Sequence, residues 1–132
     1  MLDGADVVMI ARAVRQSLLA AGSGIGYRVP ARSSALGKVL LAHLDPAEAA
    51  GHAAVPDGGA LEEIRQAGHC YVANDVEPGF HSIAVPIRRW DGRVVAALHV
   101  GAAIEQLAPE DMCGRVLDSL RRSAQDLREQ LA

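Results

Sequence analysis

Asp75, Ser82 and His99 are polar side chains that one short hairpin and its approach loop could bring to a single place. Ser82 and His99 belong to the stretch GFHSIAVPIRRWDGRVVAALHVG, residues 79–101, and Asp75 stands on the polar loop just ahead of it. Asp91-Gly92 reads as a two-residue turn in which both residues take positive φ, flanked by runs rich in Ile and Val. Side chains alternate along a strand, so a Trp90–Arg93 pair beside the turn sets Ile87 against Ala96, Val85 against Leu98 and Ile83 against Val100 on one greasy face. The opposite face then carries Arg88 with Val95, Pro86 with Ala97, Ala84 with His99 and Ser82 with Gly101. A face so small and polar either walls a small-molecule cavity or lies in solvent. Pro86 has no N–H to give a ladder, which places its strand near an edge or a bulge.

Anion binding is the chemistry these residues suit best. Ser34 is a candidate N-cap for a helix opening at Ala35, and the free N–H groups and dipole at such a start attract a carboxylate. If that helix end abuts the small face of the hairpin, a ligand carboxylate sits there, its body lies against Ala84 and Ala97, and His99 supplies a second donor. Asp75 repels a bare anion, so its expected role is to accept from a ligand hydroxyl, from Ser82 or from His99. Nucleophilic catalysis by Ser33 or Ser34, with His81 or His99 as base, lacks the strained GxSxG elbow, and a helix cap explains those serines. The histidines His43, His52, His69, His81 and His99 lack HxxxH or HExxH spacing, and alternation turns His81 away from Ser82 and His99. No metal and no cofactor is expected.

Positioning this site falls to one domain of 132 residues, half of them hydrophobic. With one Trp, two Tyr and one Phe, the core must be built from Ala, Val, Leu and Ile. A net charge of −3, with no basic cluster beyond Arg88-Arg89 and Arg121-Arg122, makes a poor binder of nucleic-acid backbones. Cys70 and Cys113 form no CxxC pair and read as buried free thiols. The start of the chain lacks a signal-peptide pattern and no apolar run is long enough for a bilayer, so a cytoplasmic soluble domain without membrane contact is expected.

Asp3-Gly4 marks a turn before a strand at 6–12, whose partner is expected upstream of the chain; an unpaired strand of this kind is an association liability. Residues 15–21 suggest a short helix and 22–26 a mobile loop. A helix from Ala35 to His43 follows Ser34, and Asp45-Pro46-Ala47-Glu48 caps another that runs to about Ala53. Leu61 to Ala67 reads as a helix closed by Gly68, and His69 to Ala73 as a strand. Pro109 opens a long amphipathic helix with Met112, Val116, Leu117, Leu120, Ala124, Leu127 and Leu131 at helical spacing. Together these predict an α+β fold: one antiparallel or mixed sheet with helices packed on it.

PARSSALGKVLLAHL, then ANDVEPGFHSIAVPIRRWDGRVVAALHVGA, then a long terminal helix, resembles the effector-binding domain of IclR-type transcription regulators over most of the chain. The wording around SIAVPI and VVAALHVG is most similar to the branch that regulates aromatic-acid catabolism, such as the protocatechuate and 4-hydroxybenzoate regulators. The resemblance implies a GAF-like effector-binding domain over residues 1–132, truncated at its N-terminus, that binds a small organic acid. It further implies a preceding winged helix-turn-helix, absent from this chain, as the sole contact with DNA, and assembly into homo-oligomers, dimers or tetramers. Ligand contacts are implied at Ser34, Ala35, Leu36, Asp75, Ser82, His99 and Gly101. Family members usually place Ser or Asn where this chain has His99, and Gly101 replaces another frequent Ser, so a ligand bulkier or more acidic than glyoxylate or pyruvate is expected. Two alternatives stay open: a small enzyme using Asp75 and His99 as an acid–base pair, and a pure oligomerisation domain whose small-residue face packs on another chain.

Overall fold

The sheet that carries residues 79–101 is a middle layer, with a helix on each face. The computed structural model describes residues 1–11, 26, 28–45, 47–48, 58–75 and 77–131. Strands β1 (Leu2–Asp3), β2 (Asp6–Val8) and β3 (Arg28–Pro30) form one three-stranded sheet, and β4 (Cys70–Ala73), β5 (Phe80–Arg88) and β6 (Val94–Ala103) form a second. All pairings are antiparallel. The α+β class is as expected, but the described strands divide into two sheets rather than one.

The first sheet corrects the expectation for the start of the chain. Leu2 pairs with Val7 and Asp3 with Asp6 around a turn where Gly4 has φ +60°, and β2 pairs on its other side with β3. Thus β2 is not the unpaired strand expected, and it stops at Val8. The Arg28 guanidinium ties the three strands together, donating to the carboxylates of Asp3 and Asp6 at 2.9 and 3.1 Å. The helix expected at 15–21 and the loop expected at 22–25 lie outside the described residues.

Helix α1 (Ala35–Ala42) starts where Ser34 predicts, and Asp45 Oδ1 accepts the N–H of Glu48 at 2.8 Å as a cap should. The body of the helix expected after Asp45 lies outside the described residues. Helix α2 (Gly58–Ala67) begins earlier than Leu61 and ends as expected on Gly68, whose φ is +76° and whose N–H bonds the Ile64 carbonyl at 2.8 Å.

In the second sheet Ser82 pairs with Gly101, Ala84 with His99, Pro86 with Ala97 and Ile87 with Ala96, the register that alternation predicts. The pairing slips between Ile87 and Arg88, so Arg88 faces Val94 rather than Val95. The turn also differs from expectation: Gly92 alone takes positive φ, at +86°, and Arg89 bonds Arg93 across a loop of residues 90–92. Asp91 is the cause, because its carboxylate accepts the Arg93 N–H at 3.0 Å and the Arg89 guanidinium at 2.6 Å while its own backbone stays out of the left-handed region. Pro86 lies beyond the reach of β4, whose pairing ends at Ala84, so the missing N–H falls on a free edge.

The final helical stretch opens at α3 (Pro109–Asp111), widens into a π-turn over Met112–Val116, and continues as α4 (Leu117–Gln130). It covers the greasy face: Ile83, Val85 and Ile87 are buried against Met112, Leu117, Leu120 and Ala124. The end of its apolar stripe is less covered, with Leu127 and Leu131 exposed at 36% and 38%. Helix α1 covers the other face, burying Ala84, Cys70 and Val72 against Leu36, Val39 and Leu40. Among the described residues no helix is long and apolar enough to cross a membrane.

Candidate ligand-binding site

Because α1 lies on the small-residue face of the hairpin, that face is not a solvated one. Ser82 and Ala84 on β5 are buried, and His99 opposite Ala84 is partly so. The oligomerisation alternative loses its premise here, since a helix of the same chain packs on the face. Gly37 lets the turn that enters α1 fold back against the helix: a Cβ at that position would collide with the backbone of Ala31. The helix begins on Ser34, whose Oγ accepts the Gly37 N–H at 3.1 Å, and the N–H groups of Ala35 and Leu36 stand at the first two helical positions, where no helical carbonyl reaches them. Ser34, Ala35 and Leu36 are all buried.

Gly101, one of the implied ligand contacts, is covered by an aromatic ring. The ring of Phe80 lies over it, and a Cβ there would come within 2.5 Å of the ring's Cζ. Phe80 shares its strand face with Ser82 and Ala84, so the absence of a side chain at Gly101 seats a phenyl ring on the same wall. Nothing in the spacing pointed to Phe80; the register places it, and Gly101 makes room for it.

Asp75 is paired with Lys38 of α1, Nζ to Oδ2 at 3.4 Å. Lys38 was absent from the residues expected at the site, as was Cys70. Of the two cysteines expected to be buried, Cys113 is exposed on the terminal helical stretch and Cys70 is buried, in the field of both charges: burial pushes its pKa up, Lys38 opposes this and Asp75 adds to it. A cation therefore stands beside the acid that by itself would repel a carboxylate. The loop that carries Asp75 is held from both ends, with the Asn74 N–H bonding the Phe80 carbonyl at 2.9 Å and Asn74 Oδ1 accepting the Gly79 N–H at 2.8 Å. Asn74 takes φ 65°, a conformation its short side chain tolerates better than most.

His81 takes no part in this face. It is fully buried on the α4 side, hydrogen-bonded through Nδ1 to the Tyr71 hydroxyl at 2.8 Å, with the rings edge to face. Among the described residues no group of three or more His, Cys, Asp or Glu could hold a metal ion. A separate cleft of about 260 Å³ lies at the free edge of β5 against α4, rimmed by Arg88, Arg121 and Arg128.

The sequence profile described as bacterial transcriptional regulator IclR C-terminal matches residues 1–53 and 59–129. The chain belongs to the IclR C-terminal family. It is 32% identical to the Pca regulon regulatory protein of Pseudomonas putida, covering 98% of this chain and 50% of that protein. It is 30% identical to the p-hydroxybenzoate hydroxylase transcriptional activator of Acinetobacter baylyi, covering 96% of this chain and 54% of the relative. These IclR-type relatives are transcriptional regulators, not enzymes, and the chain spans about half of their length. Among solved structures, the inducer-binding domain of the PobR transcription factor from Acinetobacter, a double mutant in complex with 3-hydroxybenzoic acid, superposes with TM-score 0.81 at 28% identity, over 96% of this chain and 83% of that one. The C-terminal domain of the Escherichia coli transcriptional regulator KdgR superposes with TM-score 0.78 at 26% identity, over 98% and 83%.

Proposed function

We propose that this chain is the sensing part of a longer IclR-type regulator and that its effector is a small aromatic carboxylic acid. The observation that carries the reading is the wall itself: Ser82 and His99 share one sheet face with Phe80 and Ala84, and α1 packs on that face. In this reading the acid group meets the Ala35 and Leu36 N–H groups, the ring lies along Phe80 and Ala84, Ser82 and His99 serve its polar substituents, and Asp75 stands at the rim in its pair with Lys38. Similarity to an inducer-binding domain that holds 3-hydroxybenzoic acid supports the same ligand class. DNA reading belongs to a winged helix-turn-helix outside this chain, and the working protein is a homodimer or tetramer. The effector acts on DNA only through unequal affinity for the assembly's alternative arrangements.

Calorimetric titration of 3-hydroxybenzoate, 4-hydroxybenzoate, pyruvate and glyoxylate into this chain and into His99→Ala tests the reading. The hydroxybenzoates bind more tightly than the aliphatic acids, and His99→Ala weakens them. Equal affinities in the two proteins would remove His99 from the site, and no binding by any acid would remove the function.

A further inference from the structure

We propose that Lys38 is the cation that receives the effector's carboxylate, and that Asp75 occupies Lys38 when no effector is bound, so that the two anions compete for one ammonium. The proposal rests on the reading of this face as the effector site. It starts from the place of Lys38 on α1. Lys38 follows Ser34 by one turn, on the same side of the helix, and helical side chains lean back toward the N-terminus. Its stem therefore runs toward the end where the Ala35 and Leu36 N–H groups are unpaired by the helix. The helix start and the ammonium form a single electropositive corner, and a carboxylate there meets neutral donors and a full charge together.

The present occupant of that corner is loosely held. The Lys38–Asp75 separation of 3.4 Å is longer than the roughly 2.7–2.9 Å of a well-made charge-assisted hydrogen bond. Asp75 is 51% exposed whereas Lys38 is 26% exposed, so the cation is the built-in partner and the carboxylate the replaceable one. Such a half-solvated pair contributes little to stability and costs little to exchange. The loop of Asp75 is fastened through Asn74, Gly79 and Phe80 without help from the ion pair, so it survives the loss of Lys38 as a partner. The buried Cys70 thiol, whose pKa both charges influence, belongs to the apolar cluster shared by α1 and the sheet. An arrangement of this kind selects for anions: a neutral ligand has nothing to offer Lys38 in exchange for Asp75.

The test is a titration of 3-hydroxybenzoate and of the neutral 3-hydroxybenzamide into the unaltered chain, Lys38→Gln, Lys38→Arg and Asp75→Asn. Losing a hydrogen bond to a charged partner lowers affinity by about tenfold or more, so Lys38→Gln weakens the acid by that factor and leaves the amide unchanged. Lys38→Arg, which keeps the charge, retains most of the affinity. Asp75→Asn tightens the acid severalfold, because the competitor is gone. Unchanged acid affinity in Lys38→Gln, or weaker acid binding in Asp75→Asn, overturns the proposal while leaving the effector site standing. Failure of the unaltered chain to bind any acid overturns the site itself.

Discussion

A glycine that seats a phenyl ring is a more exacting requirement than a glycine that leaves space for ligand. Gly101→Ala puts a methyl where the Phe80 ring now lies, and the atom it meets is the far end of a side chain that can turn aside. The expected cost to folding is about 1 kcal/mol, read as a lowered denaturation midpoint, with a larger effect on the affinity for ring-bearing acids. If calorimetry found aromatic-acid affinity unchanged in this variant, Phe80 would be removed from the wall. His43 supplies a second test at this scale. Its Nδ1–H donates to the Val39 carbonyl at 2.8 Å, its Nε2 is buried without a partner among the described residues, and burial lowers its pKa below the ordinary 6.5. The unfolded chain then binds the proton first, so stability present above about pH 6.5 declines as the pH falls toward the folded value. His43→Gln flattens that part of a stability-against-pH curve; an unaltered slope would assign the acid sensitivity elsewhere. The cap at Ser34 and the shared face of Ser82 and His99 were legible because cap chemistry and strand alternation are local patterns. Lys38 was not, since an ion pair between residues 38 and 75 leaves no mark in the spacing of either segment.

At the scale of elements, the register of β5 and β6 followed from alternation alone, whereas the turn between them did not. Asp91-Gly92 is compatible with more than one turn, and a side chain decides: Asp91 bonds the Arg93 N–H and the Arg89 guanidinium. These contacts, Arg89 foremost, lower the Asp91 pKa to about 2. A depressed carboxyl pKa contributes stability above the unfolded value near 3.8 that is lost as the pH falls through about 2. Asp91→Asn removes this dependence, and circular dichroism between those limits measures it. An identical acid transition in both proteins would show that the turn does not depend on the charge. The packing of α1 was hidden for a different reason. Gly37 looks like a weak point inside a helix, yet it permits the approach of the Ala31 backbone in the turn that enters α1, a contact invisible to periodicity. Gly37→Ala meets backbone rather than a mobile side chain, so about 2–3 kcal/mol of stability is lost despite better helix propensity. A variant as stable as the parent would mean that α1 can lift from the turn without cost.

For the whole molecule, the order of layers decides which parts respond to ligand. The sheet of β4, β5 and β6 has α4 on its greasy face and α1 on the face with Ser82 and Ala84, so an effector under the start of α1 touches one half of the fold. The α4 face is sealed by Met112, Leu117, Leu120 and Ala124, and its buried His81 is bonded to Tyr71 on that same side. Ligand at a hundredfold excess over its dissociation constant raises global stability by about 2.7 kcal/mol, which every globally exchanging amide shares. The local response lies on top of that. Hydrogen exchange is expected to slow most at the start of α1, in the loop around Asn74 and Asp75, and in the facing residues of β5 and β6, while amides of α4 gain only the global increment. Uniform protection across both layers would mean that the acid stabilises the chain without engaging α1. Protection confined to α4 and the rim of Arg88, Arg121 and Arg128 would move the effector to the cleft at the sheet edge. The two-layer pattern also bears on the proposed function: if protection stays on the α1 side while α4 gains only the global increment, a longer regulator would be driven through the surface next to α1 and its neighbouring loop rather than through the terminal helix.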